Sequence, residues 1–121
     1  MVTTLVGDST SVDYVDGMNN DVNFNQLYGL TYDSLGNYIV IADSGNHVIR
    51  QLDLYNFEVS TIVGTGNSGY VDGCRSCGDY PAFHTPLDVL YLPDQDGIIF
   101  VADHGNKAIR AVLLGSNISS L

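Results

Sequence analysis

The sequence contains two copies of one repeat, and this internal repetition restricts the fold more than any other feature. The repeated blocks are Val2-Thr3-Thr4-Leu5-Val6-Gly7 with Val59-Ser60-Thr61-Ile62-Val63-Gly64, Tyr14-Val15-Asp16-Gly17 with Tyr70-Val71-Asp72-Gly73, and Ile41-Ala42-Asp43-Ser44-Gly45-Asn46 with Val101-Ala102-Asp103-His104-Gly105-Asn106. A period of close to 60 residues, from Ile41 to Val101, indicates one structural unit used two times. Such units bury their apolar faces by stacking on their neighbours.

Short apolar segments separated by turn residues predict an all-β unit. Of the 14 acidic residues only Glu58 is glutamate, and the chain has 13 glycines, so turn formers outnumber helix formers. The predicted strands are Tyr28–Tyr32, Asn37–Ala42, His47–Asp53 and Glu58–Val63 in the first unit, and Leu87–Leu92, Ile98–Ala102 and Lys107–Leu113 in the second. Four antiparallel strands per repeat are typical of a propeller blade.

Two turns recur at the same place in both units, and their residues are the candidate structural sites. We expect Gly45, Asn46, Gly105 and Asn106 to adopt the positive φ angles of tight turns. Asp43 and Asp103 precede these turns and are predicted to cap the free amides. Arg50 and Arg110 also share a repeat position, which favours a structural ion pair with Asp43 and Asp103, one in each blade.

These motifs resemble the NHL-repeat family of β-propellers. The resemblance is carried by the apolar segments 38–41 and 98–101, the Ala-Asp-x-Gly-Asn blocks at 42–46 and 102–106, and the Val/Ala-Ile-Arg blocks at 48–50 and 108–110. The chain departs from the family at its eponymous triplet, where Asn46-His47-Val48 keeps two letters and Asn106-Lys107-Ala108 keeps one. The resemblance implies four-stranded blades, which in this family usually close into a ring of six.

The order of the strands predicts that the sequence starts with the outer strand of one blade and stops before the outer strand of another. Residues 1–7 are interpreted as an orphan outer strand, 8–64 as the first repeat, 65–114 as a second repeat without its outer strand, and 115–121 as a polar tail. We therefore expect two antiparallel blades that are completed between copies, giving a ring or a fibre. The predicted assembly strands are Val2, Thr3, Thr4, Leu5 and Val6 of one copy and Lys107, Ala108, Ile109, Arg110, Ala111, Val112 and Leu113 of another. The alternative is a fragment of a larger six-bladed propeller that binds proteins or ligands.

Two short motifs indicate the cellular location of the protein. Cys74 and Cys77 form a C-x-x-C in a loop, which favours a local disulfide over free thiols or a metal site because a second cysteine pair is lacking. Asn117 begins the single N-x-S/T glycosylation sequence. Both features favour an extracellular location, whereas Met1–Tyr14 has no signal-peptide pattern and leaves a cytoplasmic one open.

The charge and the absence of catalytic motifs define the expected partners. With 4 basic residues and a net charge of −10, the chain is not expected to bind nucleic acid or an anionic membrane. No catalytic constellation is evident, so the prediction is a non-enzymatic protein. The resemblance to NHL-type propellers implies a metal-dependent lyase as the less favoured alternative. No cofactor is expected beyond a weak calcium signal at Asp94-x-Asp96-Gly97. The expected partners are copies of the chain itself and glycans.

Overall fold

The computed structural model describes residues 1–7, 15–18, 21–74, 78–93 and 97–114, and these residues form two antiparallel sheets. The strands are β1 (Gly17–Met18), β2 (Leu27–Asp33), β3 (Tyr38–Asp43), β4 (Val48–Asp53), β5 (Glu58–Val63), β6 (Pro86–Leu92), β7 (Ile98–Asp103) and β8 (Ala108–Leu113). The first sheet has the order β1-β5-β4-β3-β2 and the second has the order β6-β7-β8. Each sheet is one blade, called blade 1 and blade 2 below. In the described part of the chain, no helix is long and apolar enough to cross a bilayer.

The all-β prediction is confirmed, and the seven strands expected after residue 27 are all present. Each begins and ends within one residue of its prediction. The pairings β2–β3–β4–β5 and β6–β7–β8 are antiparallel, as in a propeller blade. One correction concerns Lys107, which was expected to open the last strand. It is instead a left-handed turn residue with φ 55°, and β8 begins at Ala108.

The first residues of the chain form no strand within this single copy. Residues 1–5 are exposed, and residues 1–7 pair with no other described strand. The predicted strand at Val2–Val6 is therefore absent from the isolated chain. A lone strand has no inter-strand hydrogen bonds to hold it, so this result follows from the missing partner.

The main hydrophobic core lies between the two blades. Val40, Ala42 and Ile49 of blade 1 pack against Val89 and other residues of blade 2. The remaining buried members of this cluster are Phe83, Ile99 and Val101. The near-continuous burial of β3 was expected from its apolar run, because a strand inside a stack of blades is covered on both faces.

Each blade also has an open face, and the two open faces differ. On blade 1, Leu30 lies opposite Ile41 and Tyr32 lies opposite Ile39, so these side chains share the face that points away from blade 2. Leu30 and Tyr32 are more than half exposed there. On blade 2 the exposed residues are Leu90, which lies opposite Phe100 on β7, and Ile109, which lies opposite Ala102.

Each open face is equivalent, by repeat position, to one side of the interface that is buried between blade 1 and blade 2. In the repeat alignment, the open face of blade 1 corresponds to the face of blade 2 that is buried. Likewise, Leu90 and Ile109 occupy the positions of Thr31 and Ile49, and Ile49 is fully buried against blade 2. The two open faces therefore correspond, by repeat position, to the two sides of the buried interface between the blades.

Candidate functional site

A buried arginine ties together three parts of blade 1. The Arg50 side chain is fully buried, and its Nη1 donates to Asp43 Oδ2 at 3.0 Å and to the carbonyl of Asn23. Its Nη2 donates to the Val15 carbonyl at 2.6 Å and to Asp16 Oδ1 at 3.1 Å. The predicted ion pair with Asp43 is present. The guanidinium also fixes the segment that carries β1, because its five donors form a rigid fork.

Blade 2 contains the same arrangement around Arg110. Nη1 donates to Asp103 Oδ2 at 2.9 Å and to the Ala82 carbonyl. Nη2 donates to the Val71 carbonyl at 2.6 Å and to Asp72 Oδ1 at 2.9 Å. The second predicted ion pair is thus also present. The repetition of every partner indicates that this network is a structural element of each blade.

Asp43 and Asp103 do not cap the turns that follow them, and that prediction is wrong. Neither carboxylate accepts a backbone N–H of its own turn. Asp43 Oδ1 accepts the backbone N–H of Asn25 at 2.9 Å, and Asp103 Oδ1 accepts that of His84 at 2.9 Å. The arginine partners hold each carboxylate toward the neighbouring loop, so it crosslinks two segments instead of closing one turn. The turn amides are satisfied by backbone carbonyls, as in the bond from the Gly45 N–H to the Asn25 carbonyl.

The glycines and asparagines of these turns also have a role other than the predicted one. Positive φ occurs at the next residues, His47 and Lys107, and not at Gly45, Asn46, Gly105 or Asn106. Glycine is needed for space, since a Cβ on Gly45 would lie 2.6 Å from Asn25 Cγ, and one on Gly105 would lie 2.5 Å from the His84 carbonyl oxygen. The Asn46 amide donates to Asp43 Oδ2 at 2.9 Å, and the Asn106 amide to Asp103 Oδ2 at 2.7 Å.

A groove of about 990 Å³ runs beside the outer edge of β8. One wall is β8 itself, from Ile109 onward, and the floor includes Ile62 and Val63 of blade 1. The other wall is formed by residues 72–74 and 79–81. In blade 1 the counterparts of these walls are β4 and β1, and β5 lies between them. The groove is therefore the position of the fourth strand of blade 2.

Strand β1 is the part of this site that the sequence analysis missed. It comprises only Gly17 and Met18, which lie opposite Val59 and Glu58 of β5. Two residues are too few for an alternating apolar pattern, so periodicity could not identify them. The repetition of Tyr-Val-Asp-Gly in both units was the available signal, because it marks the segment that Arg50 and Arg110 anchor.

An aspartate at the groove shows what the fourth strand contributes. In blade 1, Asp16 accepts a hydrogen bond from the Thr61 hydroxyl of β5 at 3.0 Å, and its side chain is 45% exposed. In blade 2 the equivalent Asp72 is 85% exposed and bonds Arg110. The difference follows from the neighbouring strand β5, whose counterpart in blade 2 is not among the described residues.

Two histidines meet where the blades join. The His47 and His84 rings lie 5.6 Å apart, edge to face, and His47 Nδ1 accepts the backbone N–H of Thr85 at 2.9 Å. Burial lowers the pKa of His47 below its usual 6.5, and the nearby His84 lowers it further, whereas Asp103 partly offsets both effects. Protonation of Nδ1 would also remove the acceptor that Thr85 uses.

This depressed pKa predicts that the blade interface weakens in acid. The unfolded chain binds a proton at His47 more readily than the folded chain, so the free energy of unfolding falls as the pH drops below about 6.5. His47→Asn should flatten this pH dependence, because asparagine tolerates the left-handed φ of 58° and does not titrate. Urea unfolding at pH 7.5 and pH 5.5 measures the effect, with His104→Asn at an exposed turn as the matched control. If the free energy of unfolding of His47→Asn changed between pH 7.5 and pH 5.5 as much as that of the natural chain, this role would be contradicted.

The other predicted sites are only partly within the described residues. Cys77, Asn117, Asp94 and Asp96 lie outside them, so the predicted disulfide, glycan and calcium loop stay predictions. Cys74 lines the groove beside β8. Across the described ranges, no three His, Cys, Asp or Glu side chains come together in a way that could hold a metal ion.

Comparison with known proteins gives the same type of repeat. No protein-family model matches the sequence. The chain is 33% identical over 104 residues to NHL repeat-containing protein 2 of Bos taurus, covering 82% of the chain and 14% of that protein. It is 31% identical over 106 residues to protein SUPPRESSOR OF QUENCHING 1, chloroplastic, of Arabidopsis thaliana, covering 86% of the chain and 10% of that protein. The chain thus spans about a tenth to a seventh of the length of these relatives.

Solved structures show the same blades. An auxiliary nutrient binding protein from Bacteroides thetaiotaomicron superposes with a TM-score of 0.75 at 24% identity, over 88% of this chain and 27% of that one. A second protein from the same organism, described as of unknown function, gives 0.73 at 28% identity, over 88% and 26%. Together with the repeated strands and turns, these likenesses define propeller blades.

The chain belongs to the NHL-repeat family of β-propellers and contains two of its repeats. The family resemblance identified from the repeated motifs is therefore confirmed. The relatives also indicate that these two blades are part of a larger NHL-type propeller.

Proposed function

We propose that the chain supplies two blades of a closed NHL-type propeller and acts as a non-catalytic scaffold that binds proteins or ligands. The observation that carries this proposal is the complementarity of the two open faces. Each reproduces one half of the buried interface between blade 1 and blade 2. A soluble protein rarely leaves contiguous apolar faces of this kind uncovered, so further blades are expected to cover them.

A scaffold role is favoured over catalysis because the buried charged side chains form structural ion pairs within each blade. The buried Arg50 and Arg110 are each engaged by the aspartates and carbonyls of their own blade. These contacts hold loops of the same blade in place. The net charge of −10 disfavours polyanionic partners, so the proposed ligands are proteins or uncharged or cationic molecules.

The proposal is tested by the mass of the purified chain in solution. We expect sedimentation equilibrium to give multiples of 13.1 kDa, with the trimer favoured if six blades close a ring. Leu90→Asp places a charge on the open face of blade 2 and should abolish association. Leu35→Asp, at an exposed hairpin away from both open faces, should not. A stable monomer with intact sheets at all concentrations would overturn the proposal.

A second candidate function is self-assembly into a ring or a fibre by strand donation, favoured by the groove beside β8. Either closed rings or open filaments can result, because a small change in rotation between copies decides between them. Asn117 is proposed as a glycan acceptor and the compartment as extracellular, which suits a Cys74–Cys77 disulfide. Electron microscopy of purified particles distinguishes rings from fibres, and monodisperse single chains would exclude both.

A further inference from the structure

We propose that the contact between His47 and Thr85 is a proton-sensitive latch, which acid releases at one end of the junction between the blades while the other end stays closed. The inference goes beyond the proposed scaffold role. It also goes beyond the loss of stability described for His47, because it states where the junction opens. The contacts that carry it lie at the two ends of the neighbouring strands β2 and β6.

At the histidine end, a loop of blade 2 is bonded to a turn of blade 1. Thr85, which directly precedes β6, donates its backbone N–H to His47 Nδ1 at 2.9 Å. An accepting Nδ1 is the unprotonated nitrogen of a neutral imidazole, so the ring carries its proton on Nε2. Protonation of the ring makes Nδ1 a donor as well, and this donor then faces the N–H of Thr85. The contact between the two blades is therefore lost at this point in acid.

The ionisable groups of blade 2 that act on His47 have opposite effects on its protonation. The His84 ring lies 5.6 Å away, so two protonated rings would repel each other. Asp103 at the end of β7 favours a proton on His47. Its carboxylate, however, is already paired with Arg110 at 2.9 Å and accepts the backbone N–H of His84 at 2.9 Å. Asp103 is therefore held in its own blade and does not replace the lost contact.

Other ionisable side chains on the neighbouring elements are paired or exposed. Asp43 precedes the turn that ends at His47, and its carboxylate is paired with Arg50 at 3.0 Å. His104 and Lys107 belong to the equivalent turn of blade 2, which packs on the loop before β6, and both side chains are exposed. The protonation state of His47 is thus the variable that distinguishes the closed latch from the open one.

The other end of the junction is held by groups that keep their protons in acid. The Tyr91 side chain of β6 hydrogen-bonds the buried carboxylate of Asp33 on β2. Burial raises the pKa of Tyr91 above its usual 10.0, and Asp33 raises it further, so the phenol remains a donor throughout the acid range. The Tyr91 backbone N–H also donates to the Thr31 hydroxyl at 3.4 Å. Thr85 and Tyr91 are separated by about 20 Å of extended chain, so one end opens without the other.

Amide exchange followed residue by residue with NMR spectroscopy tests the latch in the natural chain. Opening restores the ordinary proton affinity of His47, so the equilibrium constant for opening should rise by up to about tenfold between pH 7.5 and pH 5.5. After correction for the intrinsic pH dependence of exchange, the protection of the Thr85 amide should fall by that factor. The Tyr91 amide should keep its protection, because it bonds Thr31 at the closed end. Equal protection of Thr85 at both pH values, or a parallel fall at Tyr91, would overturn the latch.

Asparagine variants assign the effect to one histidine. An asparagine Oδ1 stands where histidine has Nδ1 and does not titrate, so His47→Asn should keep the Thr85 amide protected at pH 5.5. His84→Asn introduces the residue that blade 1 has at the equivalent position, Asn25, and should reduce the fall at Thr85 without removing it. His104→Asn at the exposed turn is the matched control and should leave the fall unchanged. If the fall in His47→Asn were as large as in the natural chain, another group would be responsible and the proposal would be wrong.

Discussion

Arg50→Ala is expected to lower the free energy of unfolding by about 3–5 kcal/mol, because it leaves a buried carboxylate without its cation. Asp43 is fully buried and depends on Arg50 Nη1 at 3.0 Å. The same substitution removes donors to the carbonyls of Val15 and Asn23, so the segment that carries β1 should also detach. Urea unfolding at a fixed protein concentration measures the loss, since association shifts the apparent stability.

A matched set of variants separates this effect from a general loss of side-chain packing. Gln51→Ala changes the next residue on β4 and should cost less than about 1 kcal/mol. Arg50→Lys keeps the charge but not the fork, so its stability should lie between those of Arg50 and Arg50→Ala. Arg110→Ala should repeat the loss in blade 2. A cost for Arg50→Ala as small as that of Gln51→Ala would contradict the structural role.

Gly29→Ala is expected to be the most damaging conservative change at the contact between the blades. Gly29 lies on β2 where that strand meets β6, and a Cβ there would sit 2.6 Å from Asp88 Cα and 2.9 Å from the Leu87 carbonyl oxygen. These atoms belong to backbone, so the two strands must separate. Overpacking of this kind costs about 1–3 kcal/mol, and more where the backbone cannot shift.

Thermal unfolding followed by circular dichroism measures the effect of Gly29→Ala. A 1 kcal/mol loss corresponds to roughly 4 °C in Tm for a domain of this size. Ser34→Ala at an exposed hairpin serves as the control and should leave Tm nearly unchanged. Since the φ angle of Gly29 is not in the left-handed region, its requirement for glycine is one of space alone. A Tm equal to that of Ser34→Ala would show that the strands are not in close contact.

The repeat made most of the fold predictable. Because β3 contains a continuous apolar run at 38–41, its burial on both faces could be anticipated, and the shared positions of Arg50 and Arg110 predicted their ion pairs. In each case a local pattern occurs in both units, so chance similarity is a poor explanation.

The remaining features depend on distances between segments, which a linear pattern does not contain. Gly45 resembles an ordinary turn glycine in the sequence, yet its role is set by Asn25 on another loop. Asp43 was assigned to its own turn because a neighbour in sequence is the simplest partner, whereas the structure gives it the N–H of Asn25. The pairing of Val15 with Asn23 that leads into β1 is likewise visible only in three dimensions.

Hydrogen–deuterium exchange on β8 tests most directly whether another strand covers the edge of blade 2. The peptide that contains Ala108–Leu113 is compared with the one that contains Val48–Asp53, its counterpart with a strand on both sides. We predict that β8 becomes as protected as β4 at high protein concentration and loses protection on dilution. Rapid exchange along the outer edge of β8 at every concentration, with β4 protected throughout, would contradict the account.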